Sequence, residues 1–142
     1  MGALLRIPWE VMRERMLAGL HARGFDDLAP AHLNVLQYPG PHRTRPSELA
    51  ARTHMSKQAL NYLLGQMEDM GYLQRRVGYG DQRSRQIHLT ARGHRVTRAI
   101  RDVVAEVQAE WEEQLGHNDF AALRGLLVRL NTIVESTAGQ AD

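Results

Sequence analysis

A chain of 142 residues has room for one small domain with its own core, or for a small core completed by a dimer interface. It contains no cysteine, which excludes disulfides, thiol catalysis, thiol redox sensing and cysteine zinc sites. The net charge of +2 hides an asymmetry: residues 1–40 sum to zero, 41–98 to +7 and 99–142 to −5, so the middle is expected to meet a polyanion and the acidic end to serve another purpose.

The opening residues, MGALLRIPWEVMRERM, hold no long apolar stretch and no small-residue cleavage site. They read as neither leader nor membrane span, and the cytoplasm is the expected location. Pro8 is expected to open a first helix that runs to Ala22, with apolar residues at Val11, Met12, Met16, Leu17 and Leu20 and Gly24 as its stop. Pro30 opens a short second helix through Ala31, Leu33, Val35 and Leu36, which the run Pro39-Gly40-Pro41 ends.

Residues 46–52 predict a third helix, with Pro46 in its first turn and Glu48 near its positive end. Thr53, His54 and Met55 make a turn, and Ser56 is suited to cap a fourth helix that Gly71 ends. Its expected inner face is Ala59, Leu60, Leu63, Met67 and Met70; its outer face is Lys57, Gln58, Asn61, Tyr62, Gly65 and Gln66. Two helices joined by a tight turn, the second with a polar outer face, form a helix-turn-helix pattern. Residues 72–77 and 86–90 then alternate like strands around a turn at Gly78-Tyr79-Gly80-Asp81, which predicts a β-hairpin wing carrying Arg83 and Arg85. Thr90 is placed to cap a long fifth helix to about Leu115, and Asn118 or Asp119 to cap a sixth with Phe120, Leu123, Leu126, Leu127, Leu130, Ile133 and Val134 on it. Residues 139–142 are expected to be a disordered tail. The fold class is therefore mainly α with a small β-hairpin wing: a winged helix-turn-helix lobe, residues 30–98, plus a helical dimerisation region, residues 1–24 and 99–138.

The major groove of B-DNA admits one α-helix, and Ser56, Lys57, Gln58 and Asn61 bring short polar groups to the start of such a helix. Asn and Gln can bond adenine edges bidentately, Lys suits guanine or phosphate, and Ser56 with the helix N-terminus suits a phosphate. Tyr62 either bonds a phosphate or packs against Leu73. Arg83 is placed to enter the minor groove, with Arg85 as a second wing arginine or a phosphate contact. Arg75 or Arg76 should face phosphate, and Asp81 is read as pairing with a neighbouring arginine to set the wing's shape. Arg45, just ahead of the third helix, joins the expected DNA-binding set. The apolar first and sixth helices predict a homodimer, whose two reading heads would need a near-palindromic site with helices ~34 Å apart.

Seven histidines are present, no two at helical i, i+4 spacing, and no metal site or cofactor is expected. His32 with Trp9, Met12 and Met16 could line a pocket for a small organic effector; Trp9 and the methionines equally suit a dimer core. No nucleophile–base pair or phosphate loop is evident, so an enzyme is not expected. A dimeric winged-helix protein-interaction module without specific DNA binding is the alternative reading.

Residues 45–93 resemble the MarR family of regulators. The resemblance rests on Asp81-x-Arg83 followed by Leu89-Thr90-x-x-Gly93, and on Ser56-Lys57-Gln58, Leu63 and Gly71-Tyr72-Leu73. It implies a single domain over residues 1–138, a homodimer built from the first, fifth and sixth helices, and repression often relieved by a small aromatic or phenolic ligand. Gly78 stands where many members carry Asp, and Ala29 where a capping Thr is common. The absence of cysteine excludes the cysteine-switch branch.

Overall fold

The computed structural model describes residues 1–37, 39–77 and 85–138. The chain forms two compact units, Met1–Val104 and Ala105–Asp142. Helix α1 spans Gly2–Ala22, so Pro8 lies inside it rather than at its start. Pro8 deprives the Leu4 carbonyl of its usual i+4 donor, but the helix-favouring run Ala3-Leu4-Leu5-Arg6 carries the helix through. Met12, Met16 and Leu20 form its buried stripe, at four-residue spacing. Gly19 lets α1 approach the helix that follows the hairpin: a Cβ there would stand 2.5 Å from a Val103 methyl.

A 3-10 turn, Pro30–His32, leads into α2, Leu33–Leu36. Ala29 has no side chain with which to cap this turn; His32 does the work from the other side, its Nδ1 accepting the Ala29 N–H at 2.9 Å. Helix α3 spans Pro46–Thr53, and the Glu48 carboxylate reaches back to the Arg45 N–H at 3.3 Å. His54, left-handed at φ 54°, makes the turn into α4, Lys57–Asp69. Ser56 caps α4 by accepting the Ala59 N–H at 3.1 Å. The buried face of α4 is Leu60, Leu63, Leu64 and Met67. Ala59 is exposed and Met70 only half-buried. The helix is thus rotated slightly from the expected inner face, because Leu64 buries far more apolar area than Ala59 would.

Strands β1, Leu73–Val77, and β2, Arg85–Leu89, pair antiparallel with Leu73 opposite Leu89 and Val77 opposite Arg85. The segment ahead of α3 adds backbone bonds to β2: Arg43 N–H to the Ile87 carbonyl at 2.7 Å, and Ile87 N–H to the Thr44 carbonyl at 2.9 Å. Ile87 is fully buried between them. Helix α5, Ala91–Leu115, starts from a Thr90 cap on the Gly93 N–H at 3.1 Å. Thr90 also donates its hydroxyl to the Gly71 carbonyl at 2.6 Å and its N–H to the Tyr72 carbonyl at 3.0 Å, fastening the wing's exit to the exit of α4. Gly93 is required there, since a Cβ would lie 2.0 Å from the Tyr72 carbonyl oxygen.

In the second unit, α6 spans His117–Ala138 and begins one to two residues before Asn118 and Asp119. Gly116, at φ 86°, turns the chain there, and its carbonyl accepts the Phe120 N–H. Leu126, Val128, Ile133 and Val134 of α6 are 56–60 % exposed.

Candidate nucleic-acid interface

The outer face of α4 is built as the amphipathic pattern dictates. Lys57, Gln58, Asn61 and Tyr62 are all exposed, beginning at the residue after the Ser56 cap. Tyr62 is 67 % exposed, which puts its ring on the surface rather than in the core around Leu73. Its hydroxyl oxygen accepts from Gln66 Nε2 at 3.1 Å, while Gln66 Oε1 lies 3.0 Å from His32 Nε2. Because His32 Nδ1 accepts from Ala29, the neutral ring carries its proton on Nε2 and donates it to Gln66. A hydrogen-bonded chain thus runs from the turn before α2 to an exposed tyrosine on α4.

Arg75 sits elsewhere than on an open surface. Glu68 Oε2 takes its Nη2 at 2.7 Å and its Nε at 3.0 Å, and Glu68 Oε1 takes the Arg75 backbone N–H at 2.8 Å. Partial burial would raise the Glu68 carboxyl, but the Arg75 bonds and charge, with Arg85 adding, outweigh it and hold Glu68 below the usual carboxylate range. The pair ties α4 to β1. Arg76 turns toward Gln74, donating to its Oε1 at 2.6 Å. Arg85 is exposed at the start of β2 and Arg45 is exposed ahead of α3. Arg83 and Asp81 lie outside the described residues.

A second cluster braces the base of the wing, and sequence reading missed it. The Tyr72 hydroxyl donates to Asp27, and Arg92 pairs with Asp27 at 3.1 Å and stacks on the Tyr72 ring at 4.3 Å. Burial, then the Asp27 carboxylate, push the Tyr72 phenol above its ordinary value, so it stays a donor. Asp27 is 45 residues from Tyr72 in sequence, and no periodic signal links them. A third cluster joins His42, His88 and His94. The His42 ring lies edge-on to those of His88 and His94, at 5.6 and 4.9 Å, and its Nδ1 accepts the Leu89 N–H at 3.1 Å. Among the described residues no group of three or more His, Asp or Glu side chains is arranged to hold a metal ion.

Trp9 and Met16 line a narrow cleft with Arg13, Leu33, Gln37 and Ile100. A neighbouring open cleft of about 330 Å³ is lined by Glu10, Arg13, Glu14, Leu17, Pro30 and Leu33. Met12 and His32 are buried and line neither cleft. Among the described residues no helix is long and apolar enough to cross a membrane.

A capped helix with an exposed polar face, a preceding short helix joined by a left-handed turn, and a hairpin braced against both define a winged helix-turn-helix protein. Residues 26–84 match the MarR family. A MarR-family protein of Mycobacterium tuberculosis, solved with salicylic acid, is similar at 26 % identity and TM-score 0.65, over 92 % of this chain and 95 % of that one. Wild-type MarR of E. coli, in its apo form, shares the fold at TM-score 0.71 and 20 % identity, over 92 % of this chain and 96 % of that one. A curated relative, the exopolysaccharide II synthesis transcriptional activator of Rhizobium meliloti, is 29 % identical over 102 residues, covering 72 % of this chain; the chain spans about half the length of that relative. In its fold, and over residues 26–84 in its sequence, the chain is similar to the MarR family of transcriptional regulators.

Proposed function

We propose that the chain is a cytoplasmic, homodimeric repressor that binds a near-palindromic double-stranded operator and is released by a small aromatic or phenolic ligand. The observation that carries this is the exposed polar face of α4, capped at Ser56 and locked to β1 by Glu68 and Arg75. The +7 charge of residues 41–98 supplies attraction to phosphate. Arg45, Lys57, Gln58, Asn61, Tyr62 and Arg85 are the contacts proposed for the described part of the surface, with Ser56 as cap and phosphate ligand. Arg83 is proposed for the minor groove, and Asp81 for setting the wing's shape. The solvent-facing apolar residues of α1 and α6 support a dimer, and the clefts beside Trp9 and Arg13 support a ligand site, as does the salicylic acid held by the M. tuberculosis relative.

The test is fluorescence anisotropy on genomic fragments that the protein retains. Binding should prefer one ~16–20 base-pair palindrome and weaken steeply with salt. Lys57→Ala should weaken it about tenfold, and Arg83→Ala by a similar factor. Equal affinity for random duplex at moderate salt would end the proposal. The R. meliloti relative is named an activator, which favours a second reading with the opposite sign of control. Transcription in vitro from the retained promoter, with and without protein, separates the two.

A further inference from the structure

Asn61 and Arg75 are placed separately by the sequence, one for bases and one for phosphate, but the fold joins them. Arg75 spends its backbone N–H, Nε and Nη2 on Glu68, and its remaining terminal nitrogen, Nη1, lies 3.4 Å from Asn61 Oδ1. A guanidinium has only donors, so the amide atom that faces it is the oxygen; chemistry assigns the orientation. The Asn61 NH2 group is therefore the branch turned away from Arg75, on the exposed face of α4. Beside it, the Tyr62 oxygen accepts from Gln66, which orients that hydroxyl to donate outward as well.

We propose that Asn61 is a specificity-determining residue fixed as a hydrogen-bond donor, and that Arg75, gripped by Glu68, is the positioning residue that fixes it. This rests on the DNA-reading proposal above and names what one position of the site must be. An asparagine with both amide atoms available reads adenine, giving NH2 to N7 and taking N6 on its oxygen. Here the oxygen is turned back to Arg75, with one of its two lone pairs on Nη1, and the NH2 group is the branch presented outward, where it suits an edge made of acceptors. Guanine offers two, N7 and O6; thymine offers O4. Adenine offers the NH2 group N7 alone, and its amino group beside N7 faces a donor where guanine presents a second acceptor. The base specified by Asn61 is guanine, with thymine as the weaker match.

The test is selection from a randomised duplex library by the full-length protein and its Asn61→Ala, Asn61→Asp and Arg75→Met variants, each checked for helicity by circular dichroism. Wild type should enrich guanine at one position per half-site, and Asn61→Ala should flatten that preference by about tenfold while leaving other positions intact. Asn61→Asp keeps an oxygen on Arg75 and puts a second where the NH2 stood, so the preferred base should move to cytosine or adenine, which present amino donors. Arg75→Met releases the amide, and adenine should rise at the same position. If Arg75→Met does not fold, the two Asn61 variants still decide the matter. Adenine enriched by wild type in an Asn61-dependent way would overturn the proposal, as would an Asn61→Ala variant weakened equally on all sequences. Wild type that enriches no sequence at all would instead overturn the DNA-reading proposal beneath it, a result distinguishable from selection of the wrong base.

Discussion

His42 ties the segment ahead of α3 to the wing with a single acceptor. Its Nδ1 takes the Leu89 N–H, and the titratable and charged groups that face it are His94 from α5, Arg43 beside it and His88 from β2. Burial first, then His94, Arg43 and His88, hold its pKa below the ordinary value of 6.5. A lowered histidine pKa means that the folded chain binds fewer protons than the unfolded chain, so stability falls as pH drops through 6.5 and stops falling below the folded-state value. Protonation also turns Nδ1 into a donor aimed at another donor. Urea unfolding of wild type at pH 7.5 and 5.5 should therefore show a loss of stability on acidification. His42→Asn keeps an acceptor near the Nδ1 position and does not titrate, so its loss should be smaller. Parallel losses in the two proteins would remove His42 from the account.

At the scale of elements, Thr90 and Gly93 fasten the exit of the hairpin to the exit of α4. Gly93→Ala would drive a methyl group to 2.0 Å from the Tyr72 carbonyl oxygen, a backbone atom that cannot swing aside. The start of α5 must then move off the exit of α4, at a cost of about 1–3 kcal/mol or more. Calorimetry should show Tm lowered by roughly 5–10 °C, and an unchanged Tm would mean that the contact is not made in solution. The same region shows what the sequence could and could not disclose. Ser56, Gly71 and Thr90 are local signals, each acting within a few residues, and the elements they bound fall within a residue or two of expectation. The Leu-Thr-x-x-Gly spacing was readable as a pattern, whereas its cause, a glycine pressed on a carbonyl 21 positions earlier, was not. Asp27 on Arg92, Arg43 on Ile87 and Arg75 on Asn61 are likewise long-range pairs that no periodicity encodes. That is why Arg75 reads from sequence as a surface cation. A strict helical stripe puts Ala59 on the inner face of α4; side-chain volume at Leu64 decides the rotation instead.

For the molecule as a whole, the unexplained quantity is apolar surface. Leu126, Val128, Ile133 and Val134 on α6 are more than half exposed, and so are Leu4 and Ile7 on α1, while Leu5 is 45 % and Leu130 39 % exposed. Exposed apolar side chains in such number on each of two helices suit burial against a partner, and each leucine so covered contributes about 1.5–3 kcal/mol. Leu126→Glu combined with Leu130→Glu would bury two carboxylates in such an interface, a cost that association would not survive. Sedimentation should then report a monomer of 16.1 kDa instead of a dimer. The helicity of the first unit should persist, because none of its buried residues is altered. Operator affinity should fall by a factor of about 10²–10⁴, since the two half-sites would be bound as separate events without the effective concentration that linkage supplies. A variant that stays dimeric would place the interface on another surface, and a monomer that binds the full operator as tightly as wild type would show that the two heads do not act together.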